Sequence, residues 1–437
     1  MAREASSDGG RTGHGADVAP LKGLIVATRM TEDATPAPCA LQRVAGVTLL
    51  ERHLRFLRKL DVREAVVRIS GPVAPFEAVC ARLAQLKLHV VLVSDGQALS
   101  DALSASSQSD WLVLDGSVLV DHRLPTILAE RQESRIAVSG PDQVFAGCAR
   151  LRTTEVQRLS DADRGLSGML GDLLREGAAE PIDLMSLPTY VPDMRRDLAY
   201  YWHPIRRRED AQHGKQILLK AAQKGSLDWP AKFIHPRIES WIVQQICTWP
   251  ITPNQVTLIC NILAYFAAYH FAFGRPGWAI VAALCVGVLD GVDGRLARVK
   301  QLTSKFGGFI EHTGDAIYEY TWHFAIAYGL ASAGYGTVPY MLACAIIGAD
   351  MAEKVCMHIF ERRQGLSLDD YSAFDRGFRL IVARRNTLMW TLIPFVVFNA
   401  LYVGYWVLAI YALITLFERV LRVGFHVLYR PQVQTQL

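Results

Sequence analysis

At 437 residues the chain has room for two or three domains, and a hydrophobic share of 51% with a positive mean hydropathy exceeds what a soluble enzyme needs. A formal net charge of +4 on this length carries no signature of nucleic-acid binding. The eight cysteines, at 39, 80, 148, 247, 260, 285, 344 and 356, form no CxxC pair, which argues against a zinc site or a disulfide framework and for reduced, mostly buried thiols.

Residues 1–20 are polar and rich in Gly and Ser, without the apolar run of a cleavable secretory signal, so a disordered tail is expected there. From residue 21 onward "KGLIVATR" reads as a buried strand and "TLLERHLRFLRKL" as an amphipathic helix. "EAVVRIS", "HVVLVSD" and "DWLVLDG" then recur as strands between helical stretches. This alternation predicts a Rossmann-like α/β domain with a mostly parallel sheet over 21–195. The next segment, "HPIRRREDAQHGKQILLKAAQKG", is too charged for a core and is expected to be a helical linker at the membrane surface. It leads into "KFIHPRIESWIVQQICTW", an amphipathic juxtamembrane helix with interfacial tryptophans, the two together covering 196–250.

Residues 251–430 hold apolar runs near the roughly 20 residues that span a bilayer. Six spans are predicted, at about 255–273, 277–293, 308–331, 338–359, 386–403 and 406–427. The connections after the first, third and fifth ("FGRPG", "ASAGYGT", "VGYW") hold one basic residue between them. The others carry Arg295, Arg298, Lys300 and Lys305, then Arg362, Arg363, Arg376, Arg379, Arg384 and Arg385. By the positive-inside rule both termini, and with them the N-terminal domain, are cytoplasmic.

Against this apolar background stand five acids. Asp290 and Asp293 are three apart, and Glu311, Asp315 and Glu319 are four apart, so each set projects from one helix face at the same leaflet level. A charge near a bilayer centre costs about 3 kcal/mol on insertion scales, so such acids call for compensation. All-oxygen ligands suit a hard divalent ion such as magnesium, and two facing carboxylate stripes could hold a pair of them. The alternative is pairing with the nearby Arg and Lys side chains.

The run Asp290, x2, Asp293, Gly294, x2, Ala297, Arg298, x8, Gly307, x3, Glu311, x3, Asp315 resembles the signature of the CDP-alcohol phosphotransferase (phosphatidyltransferase) family, D-x2-D-G-x2-A-R-x8-G-x3-D-x3-D. Glu311 stands where the family has Asp. "ITPNQVTL", residues 251–258, is similar to the family's approach to its first span, with Asn254 and Thr257 turned toward the site. The resemblance implies an all-α six-helix membrane domain in the bilayer, two Mg2+ or Mn2+ ions on Asp290, Asp293, Glu311 and Asp315, and transfer of a phosphoalcohol from a CDP-alcohol to an acceptor hydroxyl with release of CMP. Gly294, Ala297 and Gly307 would leave room for the nucleotide. Arg298 would offer a planar fork of donors to a phosphate, and Asp315 would serve as general base, with His312 able to share that role.

"VAGVTLLERHLRFLRKLDVREAVV" resembles the sugar-phosphate nucleotidyltransferase fold, which bifunctional inositol-phosphate cytidylyltransferase and phosphotransferase proteins join to the same membrane domain. The catalytic parts of that fold are missing. "ATRMTEDATPAPCALQRVAG" has no glycine before Gly46, although Arg29 is kept; Cys39 aligns with the family's Lys and Ser117 with its metal-binding Asp, with Asp115 nearby but out of register. A degenerate, noncatalytic domain is expected. For the whole chain this implies a multi-pass protein of the bacterial inner membrane that uses a polar CDP-alcohol donor and a lipid acceptor such as diacylglycerol or ceramide, with a homodimer allowed for. Two alternatives stay open: a CDP-diacylglycerol-dependent phosphatidyltransferase acting on a polar alcohol such as inositol phosphate, and a noncatalytic regulatory membrane protein.

Overall fold

The computed structural model describes residues 20–105, 109–159, 165–225, 228–303 and 305–429, with the side chains of 305–313 and 427–429 outside the description. The chain divides into two compact units, Met1–Pro188 with Ala199–Gly214, and Thr189–Leu198 with Lys215–Leu437.

The first unit is built on a seven-stranded sheet. Its strands in chain order are β1 (Leu21–Ala27), β2 (Glu64–Ile69), β3 (His89–Val93), β4 (Asp110–Asp115), β5 (Arg135–Ser139), β6 (Val144–Arg152) and β7 (Glu180–Asp183). They lie in the order β7-β5-β6-β4-β1-β2-β3. All neighbouring pairs are parallel except those of β6, which runs antiparallel to β4 and β5. β1 lies inside the sheet because its run of apolar residues is buried on both faces, as an inner parallel strand requires. Helix α1 (Leu49–Lys59) starts where the Thr48 hydroxyl accepts from the Glu51 amide at 3.2 Å. It lays Leu50, Leu54 and Leu57 on the sheet, so close that a Cβ on Gly23 would collide with Leu57. The α/β reading of this half therefore stands.

In the second half the charged linker forms helix α2 (Arg208–Ala221). Two short helices follow, α3 (Trp229–Phe233), capped by the Asp228 carboxylate, and α4 (His235–Ile246). Six long helices stand where six spans are expected: α5 (Pro253–Ala272), α6 (Pro276–Lys300), α7 (Lys305–Leu330), α8 (Val338–Gln364), α9 (Arg385–Val397) and α10 (Leu401–Tyr429). Among the described residues, α5 and α10 are long and apolar enough to cross a membrane alone, and Ala373–Ile381 with α9 qualifies as a bent pair at 44°. The remaining three carry the acids and their basic flanks, which lowers their hydropathy.

The helices meet through small residues. Ala264, Ala267, Ala283 and Ala343 pack with Trp322, Ile326, Leu392 and Tyr405 in one core, the close-packing solution used inside membranes. Leu258, Ile259 and Ile262 on α5 and Ile410, Leu413, Ile414 and Phe417 on α10 face outward.

One expected boundary moves. The spans predicted at 386–403 and 406–427 put the connection at "VGYW", but α9 stops at Val397, Asn399 takes a left-handed φ of 54°, and α10 has begun by Leu401. Pro394 inside α9 lacks the amide that would continue the ladder. Gly404, which looks like a turn glycine, lies within α10, where a Cβ would strike Phe395.

Candidate active site

α6 carries the first two acids three residues apart and gives them different partners. Asp293 is buried and turned toward α5: its carboxylate accepts from the Thr257 hydroxyl at 2.6 Å and from the Gly294 amide at 2.6 Å. Asp290 instead lines a cavity of about 500 Å³, together with Gly291, Gly294, Arg298 and Asp315. Of the other residues singled out in the sequence, Asn254 stands exposed on the first turn of α5 and Ala297 is half-buried on α6. Arg298 donates from Nε to the Ala222 carbonyl at 2.8 Å, and its guanidinium lies over Gly294. Gly307, Glu311 and His312 fall on the stretch of α7 whose side chains are outside the description.

The facing carboxylates are bridged by a residue that sequence reasoning counted only as an interfacial charge. Arg385, at the start of α9, donates to Asp290 at 2.6 Å, stands 3.7 Å from Asp315, and donates to the Tyr318 hydroxyl. Pairing of acids with nearby bases, the alternative to metal, is thus realised at Asp290, and again where Asp350 takes Lys354 at 2.6 Å. One guanidinium between Asp290 and Asp315 still leaves negative charge over, and the donors that remain are all oxygen. That set fits a hard divalent cation. Among the described residues, which leave out the Glu311 side chain, no three His, Cys, Asp or Glu side chains converge as a ready coordination shell.

Below this wall lies an ion-pair cluster. The fully buried carboxylate of Asp369 receives Arg379, Arg419 at 2.6 Å, Arg384 at 3.4 Å and Arg195 at 3.5 Å. Burial alone would raise its pKa, but the guanidiniums outweigh that and hold it below the usual carboxylate range. The cluster fixes Arg379 and Arg384, both of which line the cavity, so the chain leading into α9 arrives with its cations set.

The far wall is the juxtamembrane helix α4. Its outer face exposes Ile238 and Trp241, while His235, Glu239 and Val243 turn inward. Glu239 rests on the backbone of Gly291, where any Cβ would meet its carboxylate. Desolvation pushes the Glu239 carboxyl up to about 7 against the pull of Arg295 and Arg298. Neither Arg385 nor Glu239 was singled out in the sequence. The available signals were an "RRN" run opening an apolar helix opposite two acidic stripes, and a helix on which His235 and Glu239 share a stripe with Val243.

The model of the CDP-alcohol phosphatidyltransferase family matches residues 250–417. The archaetidylinositol phosphate synthase of Pyrococcus horikoshii is 30% identical over 179 residues, 39% of this chain and 82% of that protein. The bifunctional IPC transferase and DIPP synthase of Aquifex aeolicus is 26% identical over 214 residues, 48% of each chain; the chain thus spans about half the length of that relative. Among solved structures, a protein described as a glucose-1-phosphate thymidylyltransferase of Bacillus anthracis aligns with a TM-score of 0.36 and 8% identity over 45% of this chain and 94% of its own, a likeness too slight to carry weight. The signature carboxylates of α6 and α7, the shared cavity and the match over 250–417 agree: the chain belongs to the CDP-alcohol phosphatidyltransferase family.

Proposed function

We propose that this chain is a multi-pass inner-membrane transferase of the EC 2.7.8 type that moves a phosphoalcohol from a CDP-alcohol to an acceptor hydroxyl and releases CMP. The observation that carries this reading is the pair of carboxylates, Asp290 and Asp315, facing one cavity with Arg385 between them. Asp290, Asp293, Glu311 and Asp315 would hold two magnesium or manganese ions, which when bound neutralise charge on the diphosphate and on the departing CMP. The chain's own groups do the rest. Gly294 and the small Ala297 admit the nucleotide to the helix backbone, and Arg298, Arg379 and Arg384 bind and orient phosphate oxygens. Asp315 takes the proton of the acceptor hydroxyl as its oxygen forms the new P–O bond and the bond to CMP breaks in line. Asp293, held by Thr257, keeps α5 and α6 in register at the site.

The donor in this reading is a polar CDP-alcohol and the acceptor a lipid hydroxyl, with the N-terminal domain cytoplasmic and noncatalytic. Support comes from the joining of an α/β domain to the membrane domain and from the polar lining of the cavity. A second reading, a CDP-activated lipid donor with a phosphorylated polar alcohol as acceptor, is favoured by the guanidiniums of Arg298, Arg379 and Arg384 on the cavity wall and by the name of the Pyrococcus relative. The deciding experiment supplies purified protein and magnesium with labelled polar CDP-alcohols plus diacylglycerol or ceramide, and separately with CDP-diacylglycerol plus free polar alcohols. Label entering lipid in the first set supports the polar donor, label only in the second reverses the direction, and no CMP release in either sinks the transferase.

A further inference from the structure

The wall contributed by α4 is chemically unlike the rest of the cavity. Glu239 is only 6% exposed, lines the cavity, and makes neither a hydrogen bond nor an ion pair with any described residue. One turn earlier, His235 is 2% exposed and its Nε2 is buried without a hydrogen-bond partner among the described residues. A buried polar group left unmet costs about 1–3 kcal/mol, so the His235 Nε2, with the cavity-lining Glu239 carboxyl one turn on, marks a place where something else completes them. The packing is built around this pair. Gly287 and Gly291, one turn apart on α6, are the positions where a Cβ would crowd His235 and collide with Glu239. On the same side Asn386 donates to Asp228 at 3.3 Å, and both line the cavity.

We infer that Glu239 and His235 are specificity-determining residues that read the hydroxyl groups of a polyhydroxylated head-group alcohol. This rests on the transferase reading for the site as a whole and holds for either direction of transfer, since the polar alcohol occupies the cavity in both. Residues four apart on a helix stand about 5–6 Å apart at Cβ, so a carboxyl and an imidazole at that spacing can engage neighbouring hydroxyls of one polyol, each hydroxyl both donating and accepting. A choline-like or ethanolamine-like head group fits poorly. Among the described residues the cavity is lined by no Phe, Tyr or Trp, so no aromatic face meets a quaternary ammonium. Arg295 and Arg298, whose charges act on Glu239 more strongly than those of Asp290 and Asp228, disfavour an ammonium placed there. The same two arginines suit the phosphate that joins the polyol to its nucleotide or lipid partner.

The test measures thermal protection of the full-length protein in detergent by inositol 1-phosphate, phosphoethanolamine, inorganic phosphate and CMP. Wild type should be protected more by inositol 1-phosphate than by phosphoethanolamine or inorganic phosphate at equal concentration. Glu239→Gln should weaken inositol 1-phosphate binding about tenfold while leaving CMP protection in place, and His235→Gln should weaken it in the same direction should the first variant fold poorly. Equal protection by all three phosphates, or an unchanged polyol preference in both variants, overturns the assignment. The two readings fail separately: protection by inositol 1-phosphate without protection by CMP would sink the transferase and leave the polyol pocket standing, whereas CMP protection without polyol preference would sink the pocket alone.

Discussion

The two halves of the chain treat their polar groups in opposite ways. In the N-terminal unit the loop after β1 satisfies itself: the Thr31 amide donates to the Ala37 carbonyl at 2.8 Å, the Cys39 amide to the Arg29 carbonyl at 2.9 Å, and the Ala37 amide to the Thr31 hydroxyl at 3.1 Å. Asp115 likewise takes both the amide and the hydroxyl of Ser117, at 2.8 and 2.7 Å. Cys39 is buried, which drives its thiol up to about 11. A phosphate-binding loop keeps its amides free for the ligand, and these are spent inside the fold. The membrane unit does the reverse, turning Asp290, Asp315, Glu239 and His235 toward a cavity whose wall also carries Arg298, Arg379, Arg384 and Arg385. Polar groups closed on one another make architecture, whereas polar groups held open at the cost of stability make a site.

The strongest way to break this contrast is at the carboxylates. Asp290→Asn, Asp293→Asn and Asp315→Asn should each nearly abolish CMP release while the protein stays folded in detergent; retention of about a tenth of wild-type turnover in all three would defeat the two-ion scheme. Next in size, Arg385→Gln should lower stability by about 3 kcal/mol, because it strands Asp290 without its partner. Added magnesium chloride should then raise the unfolding midpoint of this variant more than that of wild type, and equal shifts would show that Arg385 does not share the carboxylates with a cation.

A pH series sharpens the comparison further. The Glu239 carboxyl titrates near 7 in the folded chain, against an ordinary value of 4.5, so the folded state binds its proton more tightly than the unfolded state. The stabilising term is complete below about pH 4.5 and is lost as pH rises through 7, at most about 3 kcal/mol in all. Wild type should therefore lose more stability than Glu239→Gln between pH 5 and 8, and parallel curves would count against the buried carboxyl. Smaller still, Glu311→Asp should be tolerated in CMP release, and a large loss would mean that the site is fitted to the longer side chain. At the bottom of the scale, Asp115→Asn should leave CMP release unchanged, and full-length protein given CTP and an alcohol phosphate should release no pyrophosphate; release at ordinary enzyme rates would reverse the reading of the first unit.

Much of this was legible from local pattern. Strands with continuous apolar runs announce β1, β2 and β4, and acids at helical spacing announce the cavity wall, because both depend on neighbours within a few residues. Arg385 was not legible as a partner of Asp290, since 95 residues separate them and a basic residue at a membrane boundary has a ready explanation in topology. α4 misled in a different way. Its apolar face looks outward and its ionisable stripe inward, so amphipathicity showed that a helix lies at the interface without showing which side faced the site. The turn at Asn399 was missed because Gly404 is the more usual signal, and there the glycine serves packing.

The contact between α5 and α7 bears on motion. The Trp322 indole donates to the Ala264 carbonyl at 2.7 Å, and seven residues on, Gly329 lies against the Phe271 carbonyl, so near that no Cβ fits between. Two such bolts on one helix pair leave no room for α5 and α7 to slide or part. The α9–α10 region is built differently: Pro394 interrupts the ladder of α9, and Asn399, at a left-handed φ, joins it to α10. In mechanical terms α5 and α7 behave as one welded piece, so a covalent tether between them should leave CMP release unchanged.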